Sequence, residues 1–210
     1  LQPGVLRALA GLPSECALLD LGCGSGALAQ ELARRGHTGA YLGLDRSAPL
    51  LRSAQAESLP ANMGFDTLDL AASDWAARLC GPFDCIFAFA LLHHLPGADG
   101  RLRFLRQVRG LVADDGRFVL SNWDFMASPR MRKRITPWET VGLTAQAVDP
   151  GDHLLDWRRG GLGYRYVHHF TESELAELAA EAGFDIDETY RADGENGRLG
   201  LYQVWRPRVL

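Results

Sequence analysis

The sequence predicts one α/β domain whose core is a doubly wound, mostly parallel sheet. Short apolar runs alternate with helical patterns over residues 1–123, the order expected when helices cover both faces of a parallel sheet. A glycine-rich turn separates such a run from such a helix in the stretch "LLDLGCGSGALAQELARRG", residues 18–36. With 210 residues and 47% hydrophobic side chains, the chain can bury one core without disulfides or metals.

The elements of the first half follow from local signals. A proline near the start and a glycine at the end mark a helix over residues 3–11. The run "CALLDLG", residues 16–22, is too short for a helix and is typical of a buried parallel strand. The same reasoning predicts helices over residues 27–35, 48–57 and 100–112, and strands over 39–45, 65–70, 83–90 and 116–123, the last after a turn at 114–116.

The second half begins with a segment of different character. Residues 124–165 hold prolines, glycines, arginines and tryptophans without a sustained period, which predicts an inserted lid over the substrate. Thr171 and Glu174 form a capping box for a helix that Gly183 closes. Two strands, near 184–190 and 199–205, bring the sheet to seven. A single domain of 1–210 is therefore expected, with a core of 1–123, a lid of 124–165 and a C-terminal part of 166–210.

Composition narrows the classes of function. The formal net charge is -4, and no run approaches the ~20 apolar residues of a membrane span, so neither a membrane nor a nucleic acid is required. No secretory leader is recognisable. The cysteines form no C-x-x-C pair and no histidine-rich group, which predicts reduced, buried thiols, no metal and a cytoplasmic location; they are Cys16, Cys23, Cys80 and Cys85.

The glycine turn indicates which ligand the sheet binds. In open α/β sheets, ligands lie beyond the carboxyl ends of the strands. The turn runs from Gly22 to Gly26 with glycine at alternate positions, so it matches neither the dinucleotide fingerprint nor a phosphate-binding loop of the Walker type. Asp20 would repel a pyrophosphate but suits an ammonium group, and Asp45 ends the second strand where a carboxylate accepts from ribose hydroxyls. An ammonium, a ribose and no phosphate describe S-adenosylmethionine.

The motif at residues 20–26 resembles that of the class I S-adenosylmethionine-dependent methyltransferases. "GLD" at 43–45, "LDL" at 68–70 and "FDCIFAFALLHHLP" at 83–96 extend the resemblance in the expected order. It implies a Rossmann-like, seven-stranded sheet with the last strand antiparallel. It also implies that the cofactor contacts Asp20, Gly22, Cys23, Gly24, Gly26, Asp45, Arg46, Asp69, Leu70, Ala88 and Phe89.

Further motifs resemble one subfamily, the methyltransferases that esterify carboxymethyl-uridine at the tRNA wobble position. They are "GLDRS" (43–47), "LLHH" (91–94), "SNW" (121–123), "PW" (137–138), "YRYVHHFTESEL" (164–175) and a late asparagine. This resemblance implies catalytic roles for Arg165, His168 and His94, and substrate contacts by Trp123, Trp138, Tyr166 and Asn196. A carboxylate acceptor is already ionised at neutral pH, so it needs a cationic clamp and no base.

A tRNA partner is expected to contact the basic loop from Arg130 to Arg134. The loop lies within residues 101–134, which hold 9 basic and 3 acidic side chains.

Two alternatives to the tRNA methyltransferase remain. The chain is acidic overall and the segment from Trp123 to Trp138 is short, so a small-molecule methyltransferase acting on a carboxylate, phenol or amine stays open. A non-catalytic cofactor-binding module is disfavoured by the intact turn and Asp45. The alternative interpretation of the basic loop is a solvated surface, and that of Trp123 and Trp138 is core packing of the lid over the cofactor.

Overall fold

The computed structural model describes residues 1–158, 160–194 and 196–208. Within these ranges the chain alternates strands and helices in the predicted order from the N-terminus to Trp123. The strands are β1 Leu18–Leu21, β2 Tyr41–Asp45, β3 Met63–Thr67, β4 Phe83–Phe89, β5 Val112–Trp123, β6 Ile135–Thr136, β7 Asp152–Trp157, β8 Gly163–His168, β9 Phe184–Ala192 and β10 Gly200–Pro207. The α-helices are α1 Pro3–Ala8, α2 Ala27–Arg34, α3 Ala48–Gln55, α4 Ala98–Leu111, α5 Pro129–Arg132 and α6 Glu172–Ala182.

The larger sheet has the order β3-β2-β1-β4-β5-β10-β9. Strands β1 to β5 pair in parallel, whereas β10 is antiparallel to both of its neighbours. The strand order reverses direction at β1, and the carboxyl ends of β1 and β4 meet there. The prediction of a doubly wound, mostly parallel sheet of seven strands with a reversed last strand is therefore confirmed.

Helices cover both faces of this sheet because its central strands are apolar on both sides. In β4, Cys85 and Phe87 pack in one cluster with side chains of α1 and α2. The alternating residues Ile86 and Ala88 pack in the other cluster, with α4 and α6. This period of two is that of a strand buried on both faces.

The capping signals for α6 are confirmed. The Thr171 hydroxyl accepts a hydrogen bond from the Glu174 backbone N–H at 3.1 Å. Gly183 follows the helix with φ +85°, a left-handed conformation that glycine adopts at little cost. The helix therefore begins and ends where its sequence predicts.

The segment expected to lack regular structure contains a second sheet. Strands β6, β7 and β8 form it in that order, with antiparallel pairing. Its strands escape sequence-based detection because buried positions hold charged side chains, such as Asp152 and His168, that break the apolar alternation. β8 runs across residue 165, where the lid was expected to end. Phe125, Leu155 and Val167 form a separate small core for this sheet.

Two strand boundaries also differ from those predicted. The third strand ends at Thr67, whereas the prediction reached residue 70, because Leu68 and Leu70 remain buried in the core after the strand has ended. β5 begins at Val112, earlier than predicted. Its pairing with β4 shifts between Phe83 and Cys85, so that residues 113–116 bulge from the strand where a turn was expected.

The described residues form neither a disulfide nor a metal cluster. The four cysteines are free, and Cys80 is exposed, so the expectation of buried thiols is wrong there. No group of three or more His, Cys, Asp or Glu side chains in the described ranges is placed to hold a metal ion. None of the helices in those ranges has the length and apolarity needed to cross a membrane.

Candidate active site

The glycine turn leaves open space at the carboxyl end of β1. Gly22, Gly24 and Gly26 all adopt positive φ values, +77°, +56° and +76°. A Cβ atom at Gly26 would lie 2.9 Å from Cβ of Ala54, so a side chain is excluded there. A Cβ atom at Gly24 would meet no atom within 4 Å. The turn therefore combines a tightly packed base with an open backbone surface, as required where a ligand approaches the main chain.

Asp45, at the end of β2, connects this turn to the next strand. One carboxylate oxygen, Oδ2, accepts a hydrogen bond from the Gly24 N–H at 2.9 Å. The other, Oδ1, accepts from the Ser47 N–H at 2.8 Å. Each oxygen keeps a further lone pair, so the carboxylate can still accept from two hydroxyl groups of a ligand.

Asp20 lies beneath the turn and is 3% exposed. The Tyr41 hydroxyl donates a hydrogen bond of 2.7 Å to its Oδ2. Burial raises the pKa of Asp20 to about 7, while the Tyr41 bond lowers it and the Asp45 charge raises it. The contact of Asp20 with an ammonium group stays a prediction. The burial of the carboxyl and its hydrogen bond to Tyr41 limit the directions from which such a group could approach.

The floor of the site is the end of β4. Ala88 is fully buried and Phe89 is half-buried. Ala90 follows with φ +52°, and its N–H donates to the backbone oxygen and to Oγ of Ser121, at 3.0 and 3.1 Å. A non-glycine residue in this conformation is strained, and the bonds from β5 hold it in place. The chain then turns so that Leu91 lies against Gly22, which joins the floor to the glycine turn.

His94 is the titratable group that this turn presents. Its Nδ1 lies 2.9 Å from the backbone oxygen of Tyr166. Because a carbonyl oxygen only accepts, Nδ1 carries the proton and Nε2 carries a lone pair. Burial lowers the pKa of His94 to about 4; the Tyr166 bond raises it, and the positive charges of Arg165 and Arg46 lower it. The ring is therefore neutral at neutral pH, with Nε2 able to accept a proton.

Arg165 lies beside the same site between two indole rings. Its guanidinium carbon is 4.3 Å from the centre of the Trp157 ring and 5.6 Å from that of Trp123. The rings of His94 and Trp123 meet edge to face at 5.5 Å, so Trp123 contacts both polar groups. Within the part of the chain that the structure describes, no carboxylate forms an ion pair with Arg165. The half-buried guanidinium therefore offers its donors to an anionic or electron-rich ligand.

His93 is buried behind His94 and is fully excluded from solvent. Its Nδ1 lies 3.3 Å from Oδ1 of Asn122, and its pKa is well below the usual range because of burial and the neighbouring His94. The rings of His93 and Trp123 are 5.0 Å apart. These contacts place His93 as a support for the Trp123 ring.

Four other residues are predicted for catalysis or substrate binding, and of these Tyr166 meets this group through its backbone oxygen, which contacts His94. His168 is 1% exposed, and each of its ring nitrogens faces a carboxylate. The Tyr166 hydroxyl belongs to the same buried cluster, and the Trp138 ring lies 6.4 Å from the Tyr166 ring. Asn196 lies in an exposed turn where its side chain accepts from the Arg198 N–H. Direct contacts of these four with a substrate remain predictions.

Of the remaining predicted cofactor residues, Cys23 and Leu70 are buried, and Arg46 is exposed at the end of β2. Asp69 accepts a hydrogen bond from the Ala71 N–H, which shapes the loop after β3. The basic loop begins in the short helix α5, where Arg130 and Arg132 are exposed.

Sequence reasoning missed Trp157 and Tyr41. Trp157 falls in a stretch without recognisable period, and an isolated tryptophan gives no signal that separates a site residue from core. Tyr41 reads as an ordinary strand residue at the start of β2. Its role appears in the contact with Asp20, across neighbouring strands.

Comparison with known proteins defines the class. The model of the methyltransferase domain family matches residues 1–189. The chain belongs to this family, and it is an enzyme of the methyltransferase class.

Two curated relatives carry the same name. A ubiquinone biosynthesis O-methyltransferase of Chromobacterium violaceum is 27% identical over 187 residues, which cover 89% of this chain and 72% of that protein. Its namesake from Ralstonia nicotianae is 38% identical over 168 residues, 80% of this chain and 62% of the relative.

Solved structures share the fold. An S-adenosylmethionine-dependent methyltransferase from Methanosarcina mazei superposes with a TM-score of 0.70 at 23% identity, covering 100% of this chain and 99% of its own. A second structure is a 1,6-didemethyltoxoflavin-N1-methyltransferase from Burkholderia thailandensis, bound to 1,6-didemethyltoxoflavin and S-adenosylhomocysteine. Its TM-score is 0.66 at 21% identity, and the alignment covers 98% of this chain and 76% of that one.

The buried Asp20 carboxyl predicts a pH-dependent stability. Its pKa is about 7 in the folded chain and about 3.9 when unfolded, so folding takes up a proton between these values. The free energy of unfolding should therefore fall as pH rises from about 4 to about 7, by on the order of 3 kcal/mol from this group. Urea denaturation across this range should show the fall in the wild type and in Asp66→Asn, an exposed control. Asp20→Asn should lack it, and parallel curves for all three proteins would contradict the assignment.

Proposed function

We propose that this methyltransferase transfers the methyl group of S-adenosylmethionine to an oxygen atom of a small molecule, at an acidic hydroxyl such as a phenol. The observation that carries the proposal is the pairing of a neutral His94, with its Nε2 lone pair available, and Arg165, which has no carboxylate partner in the described residues. A base and a cation beside one aromatic side chain suit an acceptor that loses a proton and becomes an oxyanion.

The residues at the glycine turn fit this cofactor. Gly24 leaves open space beside its backbone, and Asp45 retains acceptor capacity for the hydroxyls of a ribose. Asp20, with a pKa of about 7, gains charge when an ammonium group lies near it. S-adenosylmethionine, when bound, supplies the methyl group as an electrophile. Asp20, the turn from Gly22 to Gly26, and Asp45 would hold it.

His94 and Arg165 act on the acceptor. His94 Nε2 accepts the hydroxyl proton as the oxygen attacks, and Arg165 stabilises the negative charge that develops on that oxygen. Burial holds the pKa of His94 low, but an oxyanion beside the ring favours the imidazolium form and opposes that effect. Trp123 and Trp157 orient the guanidinium and offer flat surfaces to an aromatic acceptor.

The relatives support an oxygen acceptor in a small molecule, because those reported above are named as O-methyltransferases of ubiquinone biosynthesis. The acceptor itself is defined here by its chemistry, an acidic hydroxyl.

The carboxylate of carboxymethyl-uridine in tRNA is a second candidate acceptor. It is supported by the same Arg165, which has no carboxylate partner among the described residues and suits a carboxylate, and by the exposed Arg130 and Arg132, which suit phosphates. The two candidates differ in their need for a base. An ionised carboxylate transfers no proton, so His94 matters for a hydroxyl acceptor and is dispensable for a carboxylate.

Methyl transfer from labelled S-adenosylmethionine to three acceptor types tests the proposal. The acceptors are a series of phenols and catechols, the matching aromatic carboxylates, and tRNA that carries unesterified carboxymethyl-uridine. We expect label in the hydroxyl compounds, and a lowered kcat for them in Arg165→Gln without a change in cofactor affinity. Alkali-labile label in tRNA that weakens when Arg130, Arg132 and Arg134 are replaced by Ala would instead favour the second candidate.

Asp45→Asn should weaken binding of S-adenosylmethionine about 10- to 100-fold, because hydrogen bonds to a charged acceptor contribute roughly 1.5–3 kcal/mol. Isothermal titration calorimetry measures the dissociation constant. Asp66→Asn on the adjacent strand is the matched control, since Asp66 is exposed and pairs opposite Leu44. An affinity equal to that of the control would remove Asp45 from the site.

His94→Gln should lower kcat by about 10²- to 10⁴-fold with a hydroxyl acceptor, the usual contribution of a general base. The affinity for S-adenosylmethionine should change less than twofold. His153→Gln, on β7, is the control for loss of a histidine elsewhere in the chain. Full activity of His94→Gln with a phenol would show that the ring takes no proton.

A further inference from the structure

A buried cluster of charged side chains lies on the far side of the second sheet from Trp123. Arg101 of α4, which is 1% exposed, donates to the Tyr166 hydroxyl at 3.0 Å. That hydroxyl donates to Oδ1 of Asp152 at 2.6 Å. Nδ1 of His168 lies 2.6 Å from the same oxygen of Asp152. Nε2 of His168 lies 2.8 Å from Oε1 of Glu174. The cluster therefore joins α4, β7, β8 and α6.

The hydrogen bonds of this cluster are mutually consistent. The two ring nitrogens of His168 face carboxylate oxygens of two different residues, so the ring links Asp152 of β7 to Glu174 of α6. Arg101 also forms an ion pair with Asp149 at 3.3 Å, and its guanidinium carbon lies 5.7 Å from the centre of the Phe170 ring. The centre of the cluster is nearly dry, because the side chains of Arg101, Asp152 and His168 are at most 4% exposed. Asp149 and Glu174 lie at its edge, 41% and 32% exposed. Hydrogen bonds at the dry centre are strong, and a missing partner there is costly.

Tyr166 connects the cluster to the candidate active site. Its hydroxyl is fixed by Arg101 and Asp152, and its backbone oxygen accepts the proton on Nδ1 of His94. Side chain and carbonyl belong to one residue of β8, so fixing the first restrains the position of the second. A histidine ring places its proton according to the acceptor that its nitrogen meets, and free histidine favours the proton on Nε2. Holding it on Nδ1 requires this carbonyl to stay in place.

We propose that Tyr166 is a positioning residue: the buried cluster of Arg101, Asp152, His168 and Glu174 holds it so that its carbonyl keeps the proton of His94 on Nδ1 and leaves Nε2 free to act as a base. This inference rests on the proposed role of His94. It gives Tyr166 and His168 a function without contact with the substrate, in place of the direct contacts that the sequence predicts.

Tyr166→Phe tests the proposal, because it removes the hydroxyl and keeps the ring and the backbone. Tyr164→Phe is the matched control: Tyr164 lies on the same strand and is 41% exposed. Nitrogen NMR of the whole chain labelled at histidine reads the proton position directly, and His94→Gln identifies the signals of His94. We expect a protonated Nδ1 in the wild type and the control, and a mixture of both tautomers in Tyr166→Phe.

Kinetics supply the second measurement. Tyr166→Phe should lower kcat roughly three- to tenfold, the effect of one hydrogen bond, with the KM for S-adenosylmethionine unchanged. Asp152→Asn keeps the shape of the side chain and weakens the same support, so it should shift the tautomer in the same direction if Tyr166→Phe folds poorly. A wild-type tautomer in either folded variant overturns the proposal. Failure of the base role is seen separately, as full activity of His94→Gln with a phenol.

Discussion

The hydrogen bond from His94 Nδ1 to the Tyr166 carbonyl, 2.9 Å long, determines how the two sheets form one site. His94 belongs to the rim of the large sheet, in the turn after β4. Tyr166 belongs to the small sheet, two residues before His168. Trp123, at the end of β5, contacts both His94 and Arg165 and so completes the junction. This junction links the turn after β4, which contacts Gly22 through Leu91, to Arg165 of the small sheet.

Electrostatics divides the site into regions with different chemistry. Two acids lie beside the turn after β1: Asp20, which is buried within β1, and Asp45, which ends β2 and accepts from two backbone amides. The side that we propose binds the acceptor holds a neutral histidine, His94, and the cation Arg165. A ligand with an ammonium group suits the first, and an oxyanion suits the second. The order of the large sheet places β1 and β2, which carry the acids, on one side of β4, which precedes His94.

The sequence predicts well those features that short-range rules determine. The glycine turn, Asp45 at the end of β2 and the capping box at Thr171 are local patterns with local causes, and the structure places the elements around them as expected. The parallel pairing of β1 to β5 follows because the sequence alternates strands with helices, and parallel strands need such connections.

The second sheet and its cluster escape prediction because they depend on contacts between distant residues. His168 looks like a site residue in the sequence, yet it pairs with Asp152 and Glu174, which nothing in their spacing reveals. Buried charges on β7 and β8 hide the alternation that marks a strand. Trp157 belongs to the site because it packs against Arg165 of the neighbouring strand, whose guanidinium carbon lies 4.3 Å from the centre of its ring. Partners of this kind become visible in three dimensions.

The central claim is that this methyltransferase acts on the oxygen of a small molecule. The most direct measurement uses S-adenosylmethionine with a deuterated methyl group, mixed with the wild-type chain and a cell extract separated into small-molecule and RNA fractions. Mass spectrometry then shows which fraction receives the label and on which atom. We expect a deuterated methoxy group on a small hydroxyl compound. Label found in the RNA, or on nitrogen or carbon of a small molecule, would contradict it.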